Sequence, residues 1–140
     1  MNLLNYTEAE LKAEMNLANF NERIADSQIQ IANIQKNIAH TEKLISEDKL
    51  KHAKENLNLS KERQILGKKQ LQYVKTAQSQ ETPEKISLSE QSYIKQEKEV
   101  NRAKRDLIER ESKINKSEIE LANLKKELSV KLDEREKIRL

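Results

Sequence analysis

The residues that could do chemistry are few and widely spaced. The only two histidines, His40 and His52, lie twelve residues apart, whereas two metal ligands on one helix need a spacing of three or four to face the same ion. Acidic pairs such as Glu8 with Glu10 stand among polar neighbours, without the apolar pocket that tunes a carboxyl group for acid–base work. We therefore expect no catalytic residues, no metal, no cofactor and no small-molecule substrate.

The composition excludes most enzyme folds. Of the 140 residues, 27 are Lys or Arg, 24 are Asp or Glu, one is Gly, one is Pro and none is Cys. Hydrophobic residues make up 35% of the chain, against about 45–50% in an ordinary globular domain. Because Gly and Pro mark turns, one of each leaves room for one sharp reversal. The expected class is all-α, with one helical region over residues 1–140.

The sequence carries no recognisable targeting segment. It has no run of about 18 apolar residues that could cross a bilayer, and its start lacks the basic and apolar stretches of a signal peptide. The absence of Cys fits an oxidising and a reducing compartment equally well. Composition therefore leaves the compartment open.

Apolar residues in the first half follow a seven-residue grid typical of a coiled coil. One seam position holds Leu3, Leu17, Ile24, Ile31, Ile38 and Ile45, interrupted by Glu10, and the other holds Tyr6, Ala13, Phe20 and Ile34. After Ser46 the grid is expected to slip and to resume as Leu50, Ala53, Leu57, Leu71 and Val74. A slip without Gly or Pro changes the supercoil but does not end a helix. We favour one long first helix over a break near Ser46 that would give three helices.

The second half has a narrower and cleaner seam. One position holds Tyr93, Val100, Leu107, Ile114, Leu121 and Leu128, and the other holds Gln96, Ala103, Arg110, Ser117, Leu124, Lys131 and Ile138. Two apolar positions in seven are typical of a coiled-coil seam. The second half therefore predicts one helix that pairs along a single edge.

The stretch between the halves predicts a turn. Pro83 lacks a backbone donor and disfavours helical geometry at Thr82, so the first helix should end before it. Ser87 followed by Glu90 is a capping-box pattern, which places the start of the second helix there. The expected architecture is a long antiparallel coiled-coil hairpin with a helix over 5–79, a turn over 80–87 and a helix over 88–138.

The two arms of this hairpin are unequal. If the chain folds back at Pro83, residues 30–79 pair with 88–138 and Val74 comes near Tyr93, while residues 3–28 keep an apolar seam that needs a partner. A long parallel dimer would bury the same seam, so periodicity alone leaves both arrangements open. The turn residues favour the hairpin.

A basic segment from Lys49 to Lys75 suggests a nucleic-acid or anionic-lipid clamp as one alternative. Acidic residues interrupt the segment, and the chain has only three Tyr and one Phe for base stacking. We expect no nucleic-acid partner. The uncharged residues before the turn instead favour a tip that docks on another protein, against the alternative of an ordinary solvated loop. The candidate partner-binding residues are Lys75, Gln78, Gln80, Thr82, Pro83, Ser87 and Leu88.

The segment Ile86-Ser87-Leu88-Ser89-Glu90 and the heptads after it resemble the returning helix of the periplasmic adaptor proteins, the membrane-fusion family of tripartite efflux and type I secretion. In that family an Ile-Ser-x-x-Glu segment opens this helix. The runs Ile29–Ile34 and Ile119–Leu124 are similar to the helix repeats of haemolysin-secretion-type adaptors. The similarity covers the helical hairpin only. Of the family's Arg, Leu and Ser tip pattern, Ser87 alone is present, since Thr76 and Gln80 stand at the other two positions.

The resemblance implies a hairpin that bridges an inner-membrane transporter and an outer-membrane channel through its tip, in a homo-oligomeric parent protein in the periplasm. It also implies that the chain is the hairpin part of a longer adaptor that has lipoyl-like and β-barrel domains. The alternative function is a free-standing homo-oligomeric coiled-coil scaffold whose overhanging residues 3–28 recruit partners. Cargo and channel identity lie beyond the sequence.

Overall fold

Two long helices make up the part of the chain that the structure, a computed structural model, describes, residues 6–138. Helix α1 spans Glu8–Gln78 and helix α2 spans Pro83–Glu136. The all-α helical hairpin predicted from the sequence is confirmed. Because α1 runs through Ser46 without interruption, the three-helix alternative is wrong. The expectations for Leu3 and for a helix start at residue 5 lie outside the described residues.

The two helices contribute to two compact units. The first, which we call the turn unit, contains residues 44–117, and the second, which we call the terminal unit, contains residues 6–43 and 118–138. In the turn unit Tyr73 stacks on Tyr93 and Glu55 pairs with Arg110, so the helices run antiparallel. The terminal unit is antiparallel as well, since residues 23–30 lie beside 134–138 and residues 30–37 beside 127–131.

Helix α1 begins with a threonine cap. The Oγ1 atom of Thr7 accepts a hydrogen bond from the backbone amide of Glu10 at 3.1 Å, which satisfies one of the amides that a helix start leaves without an internal partner. Glu8 and Glu10 in the first turn also favour the helix start, because their negative charge opposes the positive end of the helix dipole.

Helix α1 ends in a Schellman motif. Gln80 has a positive φ of 54°, and the amide of Glu81 donates to the carbonyl of Thr76 while the amide of Gln80 donates to that of Ala77, both at 3.4 Å. This pair of bonds reverses the chain and is usually built around a glycine. Here a glutamine adopts the left-handed conformation at a cost of about 1–2 kcal/mol.

Helix α2 begins at Pro83, so the predicted start near Ser87 is wrong. Thr82 is the cap, since its Oγ1 accepts from the amide of Lys85 at 3.4 Å. Proline is favoured at the first helical position because it has no amide that needs a partner and its φ already suits a helix. Ser87 lies in the helix, where its Oγ contacts the Nε2 of Gln91 at 3.5 Å. The turn between the helices is therefore shorter than the predicted turn over 80–87.

The seam of α1 continues without a slip, so the predicted resumption at Leu50 is wrong. Side chains that are at least partly covered keep alternating steps of three and four residues from Phe20 to Thr76. Leu50, Leu57 and Leu71 are more than half exposed instead, and Val74 is 46% exposed. After Ser46 the covered residues are Asp48, His52, Glu55, Leu59, Glu62, Leu66, Lys69, Tyr73 and Thr76.

The predicted seam of α2 is confirmed. Gln96, Val100 and Ala103 are buried, and the other predicted positions from Tyr93 to Ile138 are partly covered. In the turn unit Val100 and Ala103 pack with Leu59 as a small core that Leu66 and Leu107 extend. In the terminal unit the buried residues are Ile31, Ile34 and Thr41.

The covered seam of α1 starts later than the sequence predicts. Ala13 and Leu17 are exposed, Leu17 at 48%. The end of α2 reaches only Arg23 and its neighbours in the terminal unit. Leu17 therefore lies before the stretch of α1 that α2 covers, as the unequal arms lead us to expect.

Candidate protein-interaction site

A groove lies beside the turn. It has a volume of about 360 Å³, and Leu88 supplies its large apolar side chain, 65% of which is exposed. Lys85 and Glu81 form an ion pair at 3.5 Å on its rim. The residues that line the groove are Gln72, Thr76, Glu81, Lys85, Leu88 and Ser89.

Hydrogen bonds within each helix hold the floor of this groove. The Oγ1 of Thr76 donates to the carbonyl of Gln72 at 2.7 Å and accepts from the Nε2 of the same residue at 3.4 Å. The Oγ of Ser89 donates to the carbonyl of Ile86 at 2.9 Å. Because these hydroxyls are already paired, Leu88 and the two charged side chains remain the groups that a partner would contact.

The structure brings only one of the seven predicted tip residues into the groove, namely Leu88. Lys75 and Gln78 lie in the last turn of α1, Gln80 and Thr82 form the two helix caps, Pro83 opens α2 and Ser87 faces Gln91. Gln72 belongs to the uncharged polar patch that the sequence places before the turn, whereas sequence reasoning missed the other groove residues, Thr76, Glu81, Lys85 and Ser89. Extending the seven-residue spacing of Ile34 through Thr41 to Thr76 would have found one of them.

A charged cluster crosses the seam of the turn unit. The Nε and Nη2 atoms of Arg110 donate to Oε1 of Glu55 at 3.1 and 2.9 Å, and its Nη1 donates to Oδ1 of Asp48 at 3.0 Å. These three side chains are between 19% and 24% exposed. Oε2 of Glu55 is buried without a hydrogen-bond partner among the described residues.

This cluster stabilises the charged form of its arginine. The hydrogen bonds that Arg110 donates to Glu55 raise the pKa of the arginine above its usual value, and the charges of Glu55 and Asp48 act in the same direction against the effect of burial. Arg110 therefore keeps its positive charge throughout the physiological range. Two carboxylates and one permanent cation make the cluster a structural ion-pair network rather than a proton-transfer site.

Two further polar contacts cross the same seam. Gln96 is buried, and its Nε2 donates to the carbonyl of Glu62 at 3.0 Å and to the Oε2 of that residue. Nε2 of His52 lies 3.1 Å from Oε1 of Glu111, with both side chains partly exposed. Polar as well as apolar pairs therefore hold the two helices of the turn unit together.

The part of the chain that the structure describes offers no group of three or more His, Asp or Glu side chains that could hold a metal ion. His40 and His52 belong to different units. Within residues 6–138, neither helix contains an apolar stretch long enough to pass through a membrane.

No protein-family model, curated protein or solved structure matches this chain. The architecture is therefore described from its own two helices. The resemblance to periplasmic adaptors rests on the segment from Ile86 to Glu90 and on the heptads.

Proposed function

We propose that the chain is a non-enzymatic helical hairpin that docks on another protein through its tip, as the hairpins of periplasmic adaptors do. The observation that carries the proposal is the groove at the turn, in which the exposed Leu88 stands between polar side chains. An apolar anchor surrounded by polar groups is the usual centre of a protein–protein contact.

The hairpin suits this task because the end of α1 and the start of α2, which meet at the tip, are both capped. The Schellman motif closes α1 and Thr82 caps α2, so the backbone at the turn does not need a partner to satisfy its own polar groups. Binding at the tip would then order few additional residues, and a preorganised surface loses less free energy on association.

In this proposal the partner at the tip is an outer-membrane channel, an inner-membrane transporter lies at the other end, and the location is the periplasm. The resemblance of the Ile86–Glu90 segment supports these three points. Ser87 lies one turn inside α2 rather than at its start, so it would contribute an exposed hydroxyl to the contact and not a helix cap.

Site-specific photocrosslinking in the organism that encodes the chain tests the proposal. A photoreactive residue in place of Leu88 should crosslink to an outer-membrane channel, and Leu88→Asp should reduce both the crosslinking of neighbouring positions and the export of substrate. Ile94 is the matched control, because it is also on α2, is 43% exposed and does not line the groove.

The result depends on how crosslinking from position 88 compares with crosslinking from position 94. Crosslinking to the channel from position 88 but not from position 94 would support tip docking. Unchanged export with Leu88→Asp, or equal crosslinking from both positions, would contradict it.

A second candidate function is a free-standing homo-oligomeric scaffold. A specific observation favours it: Leu50, Leu57 and Leu71 are exposed on α1 at multiples of seven residues, which is the spacing of a second coiled-coil seam. This second seam predicts self-association of the chain.

A further inference from the structure

Helix α1 has an exposed stripe on the face that α2 does not cover. In the turn unit this outer stripe comprises Ser46, Leu50, Ala53, Leu57, Ser60, Gln64, Gly67, Leu71 and Val74. All nine residues are exposed. Their steps of four and three residues are those of a coiled-coil seam, so the turn unit carries one occupied seam and one open seam on the same helix.

The outer stripe alternates large and small side chains. One heptad position holds Leu50, Leu57, Gln64 and Leu71, whereas the other position holds Ser46, Ala53, Ser60, Gly67 and Val74. A side chain added at Gly67 would meet nothing within 4 Å. Large residues on one helix pack best against small residues on the facing helix. An antiparallel pairing brings the two heptad positions opposite each other, whereas a parallel pairing places large against large.

We propose that the part of the outer stripe from Ser46 to Leu57 binds the same part of a second copy of this chain, with the two α1 helices antiparallel and Leu50 packed against Ala53 of the second copy. The same twofold arrangement places Leu57 against Ser46. This inference rests on the second candidate function, the homo-oligomeric scaffold, and does not involve the tip groove.

Charge complementarity selects the antiparallel orientation. In a parallel pair the flanking Arg63 of one copy would meet Lys68 of the other on both edges of the interface, and like charges there oppose association. In the antiparallel pair the flanking Lys54 of each copy lies opposite Glu47 of the other. The opposite charges therefore meet twice, once on each side of the twofold axis.

The same charges select the register. A shift by one heptad in one direction places Lys54 opposite Lys54 of the second copy, and a shift in the other direction places Glu47 opposite Glu47. Only the register that packs Leu50 against Ala53 brings Lys54 opposite Glu47. The turns of the two copies then point in opposite directions, which differs from an adaptor assembly whose tips all meet one channel.

Sedimentation equilibrium of the purified chain tests the association. We expect a mass twice that of one chain at chain concentrations of up to about 100 μM. At this concentration most chains are paired if the Kd of the dimer is about 10 μM or tighter. Leu57→Lys should raise the Kd by about 100-fold because the substitution occurs twice in each pair. Its matched control is Ile108→Lys, at an exposed position on α2 that is not part of the stripe. A monomeric wild type, or equal effects of the two substitutions, would overturn the proposal.

Cysteine crosslinking tests the orientation, since the chain contains no Cys. Mixing chains that carry Glu47→Cys with chains that carry Lys54→Cys should give a disulfide-linked pair far more efficiently than either variant alone. A Ser46→Cys variant that crosslinks efficiently to itself would indicate a parallel pair and overturn the proposal. The crosslinking and export results for Leu88→Asp bear only on the adaptor function, so the two proposals can fail independently.

Discussion

The terminal unit and the turn unit use the same heptad geometry with different side chains. In the terminal unit half of the covered residues of α1 are isoleucines, namely Ile24, Ile31, Ile34 and Ile38. In the turn unit several equivalent positions hold charged or polar residues, among them Asp48 and Glu55. The difference indicates that the apolar unit gains more from burial, whereas the polar unit gains a defined register.

The defined register follows from the geometry of the ion pairs. Arg110 reaches two carboxylates that are one heptad apart, Asp48 and Glu55. Sliding α2 by one heptad would separate Arg110 from one of them and leave a mostly covered carboxylate without its cation. An isoleucine seam would lose much less from the same shift, because each isoleucine is replaced by a similar one.

The largest effect is expected at the apolar core of the turn unit. Leu59→Ala should lower the free energy of unfolding by about 2–4 kcal/mol, because it removes a side chain that packs on Val100 and Ala103. Leu57→Ala should change it by less than about 0.5 kcal/mol, since Leu57 is exposed. Urea titration of both variants below the concentration at which chains associate measures this. Equal losses would contradict the assigned seam.

The charged cluster should give the next largest effect. Arg110→Ala leaves Asp48 and Glu55 without their cation. The loss in stability should therefore exceed that of Arg102→Ala, which removes an exposed ion pair with Glu99 that contributes about 0.5 kcal/mol. A raised arginine pKa contributes stability that is lost only when the pH rises through it, so this difference should persist from about pH 7 to about pH 10. Thermal unfolding of both variants at several pH values provides the measurement.

Replacing Asp48, Glu55 and Arg110 together by leucine tests whether the turn unit can use an apolar seam. The turn unit would then have a seam like that of the terminal unit, and its thermal midpoint should exceed that of the wild type. A triple variant less stable than Arg110→Ala would mean that the cluster stabilises the fold directly and does not mainly set the register.

The smallest effect is expected at the turn. Gln80→Gly should raise the free energy of unfolding by about 1 kcal/mol, because glycine adopts the positive φ of this position without strain. Gln78→Gly, two residues earlier and still helical, is the control and should lower it by about 0.5–1 kcal/mol. If both glycines destabilised the chain, the Schellman motif would not form in solution.

The seam of α2 could be predicted because its apolar residues form one stripe. The seam of α1 could not be predicted beyond Ser46, because two stripes with the same spacing compete there. The continuation through His52, Leu59 and Leu66 is interrupted by acidic residues whose partner, Arg110, lies far away in the sequence. The exposed stripe through Leu50 and Leu57 is more apolar, so the sequence pattern favours it as the seam.

The start of α2 was mispredicted for a different reason. A proline interrupts a helix when it lies in the interior, but it is well suited to the first helical position. The capping-box pattern of Ser87 and Glu90 predicts a later start, whereas Thr82 makes the actual cap by accepting from the amide of Lys85.

Two double-cysteine variants distinguish a seam of α1 that continues past Ser46 in the original register from a seam that shifts there. Tyr73 and Tyr93 stack with ring centroids 6.2 Å apart, whereas Val74 is 46% exposed. Tyr73→Cys with Tyr93→Cys should form a disulfide within one chain, and Val74→Cys with Tyr93→Cys should not. Efficient crosslinking of the Val74 pair with none in the Tyr73 pair would contradict a seam that keeps its register past Ser46.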